Sequence, residues 1–288
     1  MNTKETESLI KLLDDPNTDV FEIIKSKLCI LGPEVIPSLE SAWENSMDDL
    51  FQSRIETIIQ EIHQTDIKSR LKQWVDDGAT DLFSGTYLIT KFQYPDITED
   101  EIRQKIDTLK KDIWLELNDN LTALEKIRII NHVLFEVHGF SRSSTFQNSA
   151  HVHFLNYVLD YKKGSPLSLA ILYALIAQQL NIPVFGVALP KNFILCYKDQ
   201  SSDIFEKDFA EGVLFYINPF NKGVVFGRKE IDLFIKQQKL DLNEAYYQPC
   251  SNKETIAHLL NMLIEFYESG DQLSKLNDYR SLLKILYI

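Results

Sequence analysis

Between Leu167 and Leu180 the chain reads "LSLAILYALIAQQL", a stretch whose apolar residues cover nearly every side of a helix. A helix with no polar face must be enclosed by other elements, so this one is predicted to form the centre of a domain. Two β-rich runs follow it, "VFGVALP" and "FILCYK". Past a polar loop come "GVLFYINPF" and a short fourth run, "GVVF". A central helix followed by three or four antiparallel strands predicts an α+β arrangement, with the helix packed on one face of a small sheet.

The flanks are helical, so the whole is expected to be mainly α. Residues 1–75 show apolar residues at helical spacing, Leu9, Leu12 and Leu13, then Val20, Ile23, Ile24, Leu28 and Leu31. "DDPNTD" and "LGPEVIP" break the helices, with Gly32 placed as a C-cap and Pro33 just beyond it. This resembles a HEAT-type helical pair. Residues 76–250 are expected to form the core, helical over 76–139 and a helix plus antiparallel strands over 140–250. Thr98 is placed to cap one helix ahead of Glu99, Asp100 and Glu101. The next helix should carry Leu124, Ile127, Ile130, Leu134 and Val137 on one face and stop at Gly139. "FSRSSTFQNSAHVHF" then reads as a polar linker crossing the surface. Residues 251–288, with Asn261, Tyr267 and Gly270, resemble a TPR-type helical hairpin.

Charge narrows the function. With 42 acidic and 30 basic side chains the net charge is −12, which repels polyphosphates and anionic lipid at long range. Nucleic acid and membrane are therefore not expected as partners. No run of 18 apolar residues occurs, and the charged amphipathic start lacks a signal peptide's apolar centre. The expected compartment is the cytoplasm. Cys29, Cys196 and Cys250 are odd in number and far apart, which suggests neither a disulfide framework nor a metal site. No cofactor or metal is expected.

The order of elements around the central helix resembles transglutaminase-like folds. In these a nucleophilic cysteine opens the buried helix in a "G-x-C-x-x-x-A" run, and a histidine and an aspartate follow on the next strands. Here the corresponding runs are "GSPLSLA" from Gly164, "PKNFIL" from Pro190 and "INPFN" from Ile217. Registered on Gly164, Ala170, the Ile182-Pro183 step and Pro219, the cysteine position falls on Pro166, the histidine position on Asn192 and the aspartate position on Asn218. Within that superfamily the chain is most similar to the SirB-type branch, described as regulators of sirC expression. That branch pairs a helical N-terminal part with a core bearing "G-x-P-x-S-L" and "N/D-P-F-N" and a short TPR-like tail.

The resemblance implies the scaffold but not its chemistry. Pro166 offers no nucleophile, Asn192 cannot shuttle a proton near neutral pH, and Asn218 has no charge to hold an imidazolium. The expectation is a non-catalytic binding or regulatory module whose partner is a protein or peptide. Gly164, Ser165, Ser168, Asn192, Asn218, Phe220 and Asn221 are expected to converge on one concave spot. The alternative is a hydrolase or acyl-transfer enzyme with a rebuilt nucleophile, Ser165, Ser168 or Cys196, served by a nearby histidine. "HVH" has strand-like spacing that would set His151 and His153 on one side, open to a metal or a base role, although such a pair without cysteine or carboxylate at ligand spacing is ordinary surface or core usage.

Overall fold

In the computed structural model, residues 3–145, 147–190, 192–199, 212–270 and 272–287 are described. The polar loop expected between the second and third strands lies, over 200–211, outside the described residues. The chain divides into two compact units, Met1–Gln73 and Trp74–Ile288. Among the described residues no helix is long and apolar enough to cross a membrane.

The first unit is built from helices α1 (Thr3–Lys11), α2 (Thr18–Leu31), α3 (Ile36–Glu44) and most of α4 (Asp49–Asp76). Asn17 caps α2 by accepting from the Asp19 amide at 2.9 Å. Gly32 ends it with φ +72°, a backbone angle that costs glycine nothing. Leu13, Leu28, Leu39, Ile55, Ile58 and Ile62 fill the core. The buried Arg54 guanidinium donates to the carbonyls of Leu13 at 2.7 Å and Asp15 at 2.6 Å, so the charge is hydrogen-bonded where it is enclosed.

In the second unit, α5 (Leu82–Gln93) starts at the Asp81 cap, α6 (Glu99–Glu116) at Thr98, and α7 (Ala123–Asn131) at Thr122. Thr98 with Glu101, and Thr122 with Glu125, form reciprocal capping boxes. After α7 the chain widens into a π-helical turn over His132–Val137 and stops at Gly139, φ +71°. That widening turns Val137 off the face expected from simple periodicity, and Leu124 lies in the first turn of α7. Ile127, Ile130, Val133 and Leu134 are buried, whereas Leu124 and Val137 are exposed, contrary to expectation.

Next come β1 (Ser141–Arg142), α8 (Leu155–Tyr161), β2 (Lys163–Gly164) and α9 (Pro166–Gln179). Strands β1 and β2 pair in parallel. Strands β3 (Val184–Leu189), β4 (Asn192–Lys198), β5 (Val213–Asn218) and β6 (Val224–Phe226) form an antiparallel meander in chain order. The expected α+β, mainly helical architecture is observed. Every residue of α9 from Leu167 to Ala177 is buried. Each Leu or Ile there contributes roughly 1.5–3 kcal/mol of burial. The Tyr173 hydroxyl donates to Asn131 Oδ1 at 2.9 Å, and Asn131 Nδ2 donates to the Gly223 carbonyl at 2.7 Å, tying α9 to α7 and to the turn before β6.

Helix α9 packs on β3 and β4 from one side of the sheet. A further helix, α10 (Arg228–Gln237), which periodicity did not lead us to expect, joins the other side. Ile231, Ile235 and Tyr247 pack there with Val187, Ile194, Cys196 and Tyr216. The C-terminal helices α11 (Asn252–Ser269) and α12 (Leu273–Ile285) form a hairpin, and α11 also packs on α5 and β3. The Cys250 amide donates to the Gly186 carbonyl at 2.7 Å, leading the chain along the edge of β3 into α11.

The stretch read as a surface linker is a correction. Ala150, Val152, His153 and Phe154 are buried, because a 3-10 turn over Ala150–His153 folds them beneath the start of α9. The Val152 carbonyl accepts there from the Ser165 amide and the Ser168 hydroxyl.

Candidate functional site

A hollow of about 450 Å³ opens beside the first turn of α9. Pro166 and Leu167 form its base, Leu189, Asn192 and Phe193 come from the β3–β4 turn, and Gln147 and His153 from the folded linker. Its long wall is one face of α11, with His258, Asn261, Met262, Glu265, Phe266 and Ser269 at helical spacing.

The start of α9 is held by an unusually complete set of local bonds. Ser168 N–H donates to Ser165 Oγ at 3.1 Å, and Ser165 N–H donates back to Ser168 Oγ at 2.9 Å. The Ser168 hydroxyl itself donates to the Val152 carbonyl at 2.7 Å. Both serines are buried, and both hydroxyls serve as a capping box in which Ser168 plays the part usually taken by Glu or Gln. Pro166 occupies the first helical position, where its missing N–H leaves nothing unpaired. A Cβ on Gly164 would lie 2.7 Å from Ser168 Oγ and 3.0 Å from Leu169 Cγ, so only glycine lets β2 pass this close to the helix.

Of the residues expected to converge, Asn192 borders the hollow, as does Pro166 at the position matching the cysteine. Gly164, Ser165 and Ser168 lie buried behind it, and Asn218, Phe220 and Asn221 are not among its lining residues. Asn192 Oδ1 accepts from the Phe193 amide at 2.9 Å. Asn218 ends β5, leads into a 3-10 turn over Pro219–Asn221, and its buried Oδ1 has no hydrogen-bond partner. The pleat puts Asn192 on the same side of β4 as Ile194 and Cys196, and Asn218 on the same side of β5 as Tyr216, the α10 side of the sheet.

The candidate nucleophiles fare similarly. Cys196 sits opposite Phe185 and Tyr216 in the cluster that α10 covers, and burial pushes its thiol up to about 12. A thiol held protonated to that extent is a packing group at neutral pH. The histidines do not share a side. In a 3-10 turn residues two apart diverge by about 240°, so His151 is exposed and bonds the Tyr94 hydroxyl, whereas His153 is buried against the Phe266 ring. This corrects the strand-like reading of "HVH". Among the described residues no three His, Cys, Asp or Glu side chains stand close enough to hold a metal ion.

Sequence reasoning missed the α11 wall entirely. His258 packs on the Phe193 ring at 5.6 Å between centroids, and burial lowers its pKa from the ordinary 6.5, with Glu254 opposing the shift. Gly186 makes room for the Phe193 ring on which that wall packs, since a Cβ there would stand 2.4 Å from Phe193 Cζ. The signal was present as a stripe of Asn261, Glu265 and Ser269, but the Cys250–Gly186 pairing and the packing of α11 on α5, β3 and the Ala150–His153 turn bring it to the start of α9.

A sequence model described as the transglutaminase-like superfamily matches residues 100–261, from α6 to the middle of α11. A UPF0162 protein of Xylella fastidiosa is 26% identical over 157 residues, 54% of this chain and 52% of that protein. A UPF0162 protein of Pseudomonas aeruginosa is 25% identical over 205 residues, covering 71% of this chain and 72% of its own. Mouse F-box only protein 21 is 27% identical over 139 residues, 47% of this chain and 21% of that protein. The match thus spans about half the length of the Xylella relative. No solved structure matches.

Proposed function

The chain belongs to the transglutaminase-like superfamily, and on that premise we propose that it is a non-catalytic, SirB-type member that binds a protein segment in the hollow beside α9, as a regulatory module of the cytoplasm. The observation that carries this reading is the use made of Ser165 and Ser168. Both hydroxyls are spent on capping and on the Val152 carbonyl, so the two nucleophile candidates nearest Pro166 hold the helix start in place. Covalent acyl transfer needs a nucleophile with a base in reach, and among the described residues the two serines bond each other and Val152, not a histidine. Cys196, the other candidate, is enclosed under α10.

What remains is a concave surface with a mixed lining. Leu167, Leu189, Phe193, Met262 and Phe266 supply apolar area, and Gln147, Asn192 and Asn261 supply amides that can meet a peptide backbone. Such a surface suits recognition without turnover.

Selection of peptides from a displayed random library tests this. The wild type should enrich a sequence set that Met262→Arg, which fills the hollow, does not enrich while its circular dichroism and melting stay unchanged. Enrichment of the same set by both proteins would place binding elsewhere, and cleavage or amine incorporation in the selected peptides would overturn the non-catalytic reading.

A further inference from the structure

Resting on the reading that the hollow binds a protein segment, we infer that the segment presents a cationic side chain, arginine or lysine. Its aliphatic stem lies along Met262 and Phe266, and its charged head meets Glu265.

Helix α11 carries three glutamates with different employment. Glu254 accepts from Ser251 N–H at 2.7 Å as part of a capping box, and Glu268 accepts from Arg280 at 2.9 Å. Glu265 lines the hollow, and no described cation pairs with it. It is the one carboxylate among the described lining residues, and of the two histidines there, His153 and His258, the latter is kept toward its neutral form by burial. One turn earlier, Asn261 presents a side-chain amide to the same hollow. An acceptor carboxylate and an acceptor carbonyl one turn apart can share the donors of a guanidinium or an ammonium.

The walls fit the rest of such a side chain. Lysine and arginine are apolar along their stems and cationic only at the tip, so they suit a site with Met262 and Phe266 below a single charge. Phe193 and Phe266 also line the hollow, and a cation seated over an aromatic ring gains attraction that a neutral amide would not receive.

An anionic segment is the rival occupant, since a helix N-terminus carries about half a positive charge. At α9 that end is largely spent. Pro166 has no N–H and the Ser168 N–H is taken by Ser165 Oγ, leaving little to outweigh the full charge of Glu265. The net charge of −12 acts in the same sense at long range.

Fluorescein-labelled peptides acetyl-Ala-Leu-X-Leu-Ala-amide, with X as arginine, lysine, citrulline, norleucine or glutamate, test the inference by fluorescence anisotropy. The arginine and lysine peptides should bind the wild type about tenfold more tightly than citrulline or norleucine at low salt, an advantage that shrinks at about 1 M salt. Glu265→Gln, an exposed substitution, should remove the advantage and leave norleucine binding unchanged. If binding is blocked by Met262→Arg but the cationic peptides show no advantage, or the glutamate peptide binds best, the cation inference falls and the hollow reading stands. If no peptide shows binding that Met262→Arg abolishes, both fall.

Discussion

The Ser168 hydroxyl donates to the Val152 carbonyl at 2.7 Å, joining the start of the central helix to a turn sixteen residues earlier in the chain. The same oxygen accepts from the Ser165 amide, so Ser168→Ala removes the shorter bond of each and leaves the buried Ser165 N–H and Val152 carbonyl only their mutual contact at 3.3 Å. The expected cost is about 1–3 kcal/mol, read as a lower urea midpoint. Binding of a selected peptide by the folded fraction should survive, because the serine lies behind the hollow. A catalytic serine would behave in the opposite way, losing function with little change in stability.

Gly186 holds a place for Phe193. A methyl group there would overlap the ring at 2.4 Å and press on Thr255 Oγ1 at 3.1 Å, so Gly186→Ala must displace the Phe193 ring, which packs on His258 and lines the hollow beside it. Overpacking of this kind costs about 1–3 kcal/mol. The variant should melt lower and bind selected peptides more weakly, and an unchanged affinity would show that Phe193 is no part of the recognition surface.

Much of this arrangement is legible in the sequence. The all-round apolar stretch of α9, the four β runs and the Thr98 cap follow from local pattern, and each is found at its expected place. What local pattern cannot carry is distance along the chain. The residues 150–154 look polar because two histidines interrupt them, yet the Val152 carbonyl is needed by α9 and draws them inward. Ile231, Phe234 and Ile235 hold helical spacing in α10, but the run is short and its burial depends on a sheet face completed by Tyr216 and Tyr247. The α11 wall is illegible for the same reason, since nothing near Asn261 in sequence points to Pro166.

Acid should weaken the fold through His258. Burial lowers its folded pKa below the ordinary 6.5, so as pH falls the unfolded chain takes up that proton first. Stability then declines as pH drops through about 6.5 towards the folded value. His258→Gln should flatten that part of the profile, measured as the difference in urea midpoint between about pH 7.5 and pH 5.5. An unaltered profile would mean that the imidazole is solvated in the folded chain.

Alkali acts with the opposite sign. Burial pushes Tyr94, Tyr216 and Tyr247 up to about 12 from the ordinary 10.0, so their protons favour the folded chain. Stability from these groups is complete below about pH 10 and is lost as pH rises towards 12. Tyr216, whose hydroxyl donates to the Tyr247 carbonyl at 3.1 Å, is the one to replace. Tyr216→Phe should lower stability at neutral pH and reduce the tyrosinate absorbance that appears with alkaline unfolding.

The claim that this scaffold recognises without reacting is tested most directly by intact-mass spectrometry of the native protein after treatment with a fluorophosphonate and, separately, with iodoacetamide. The expected result is no fluorophosphonate adduct on Ser165 or Ser168 and no iodoacetamide adduct on Cys196 until the chain is unfolded, with the buried thiol at about 12 and both hydroxyls committed to α9. Rapid, stoichiometric modification of any one of these three residues in the folded protein would contradict it.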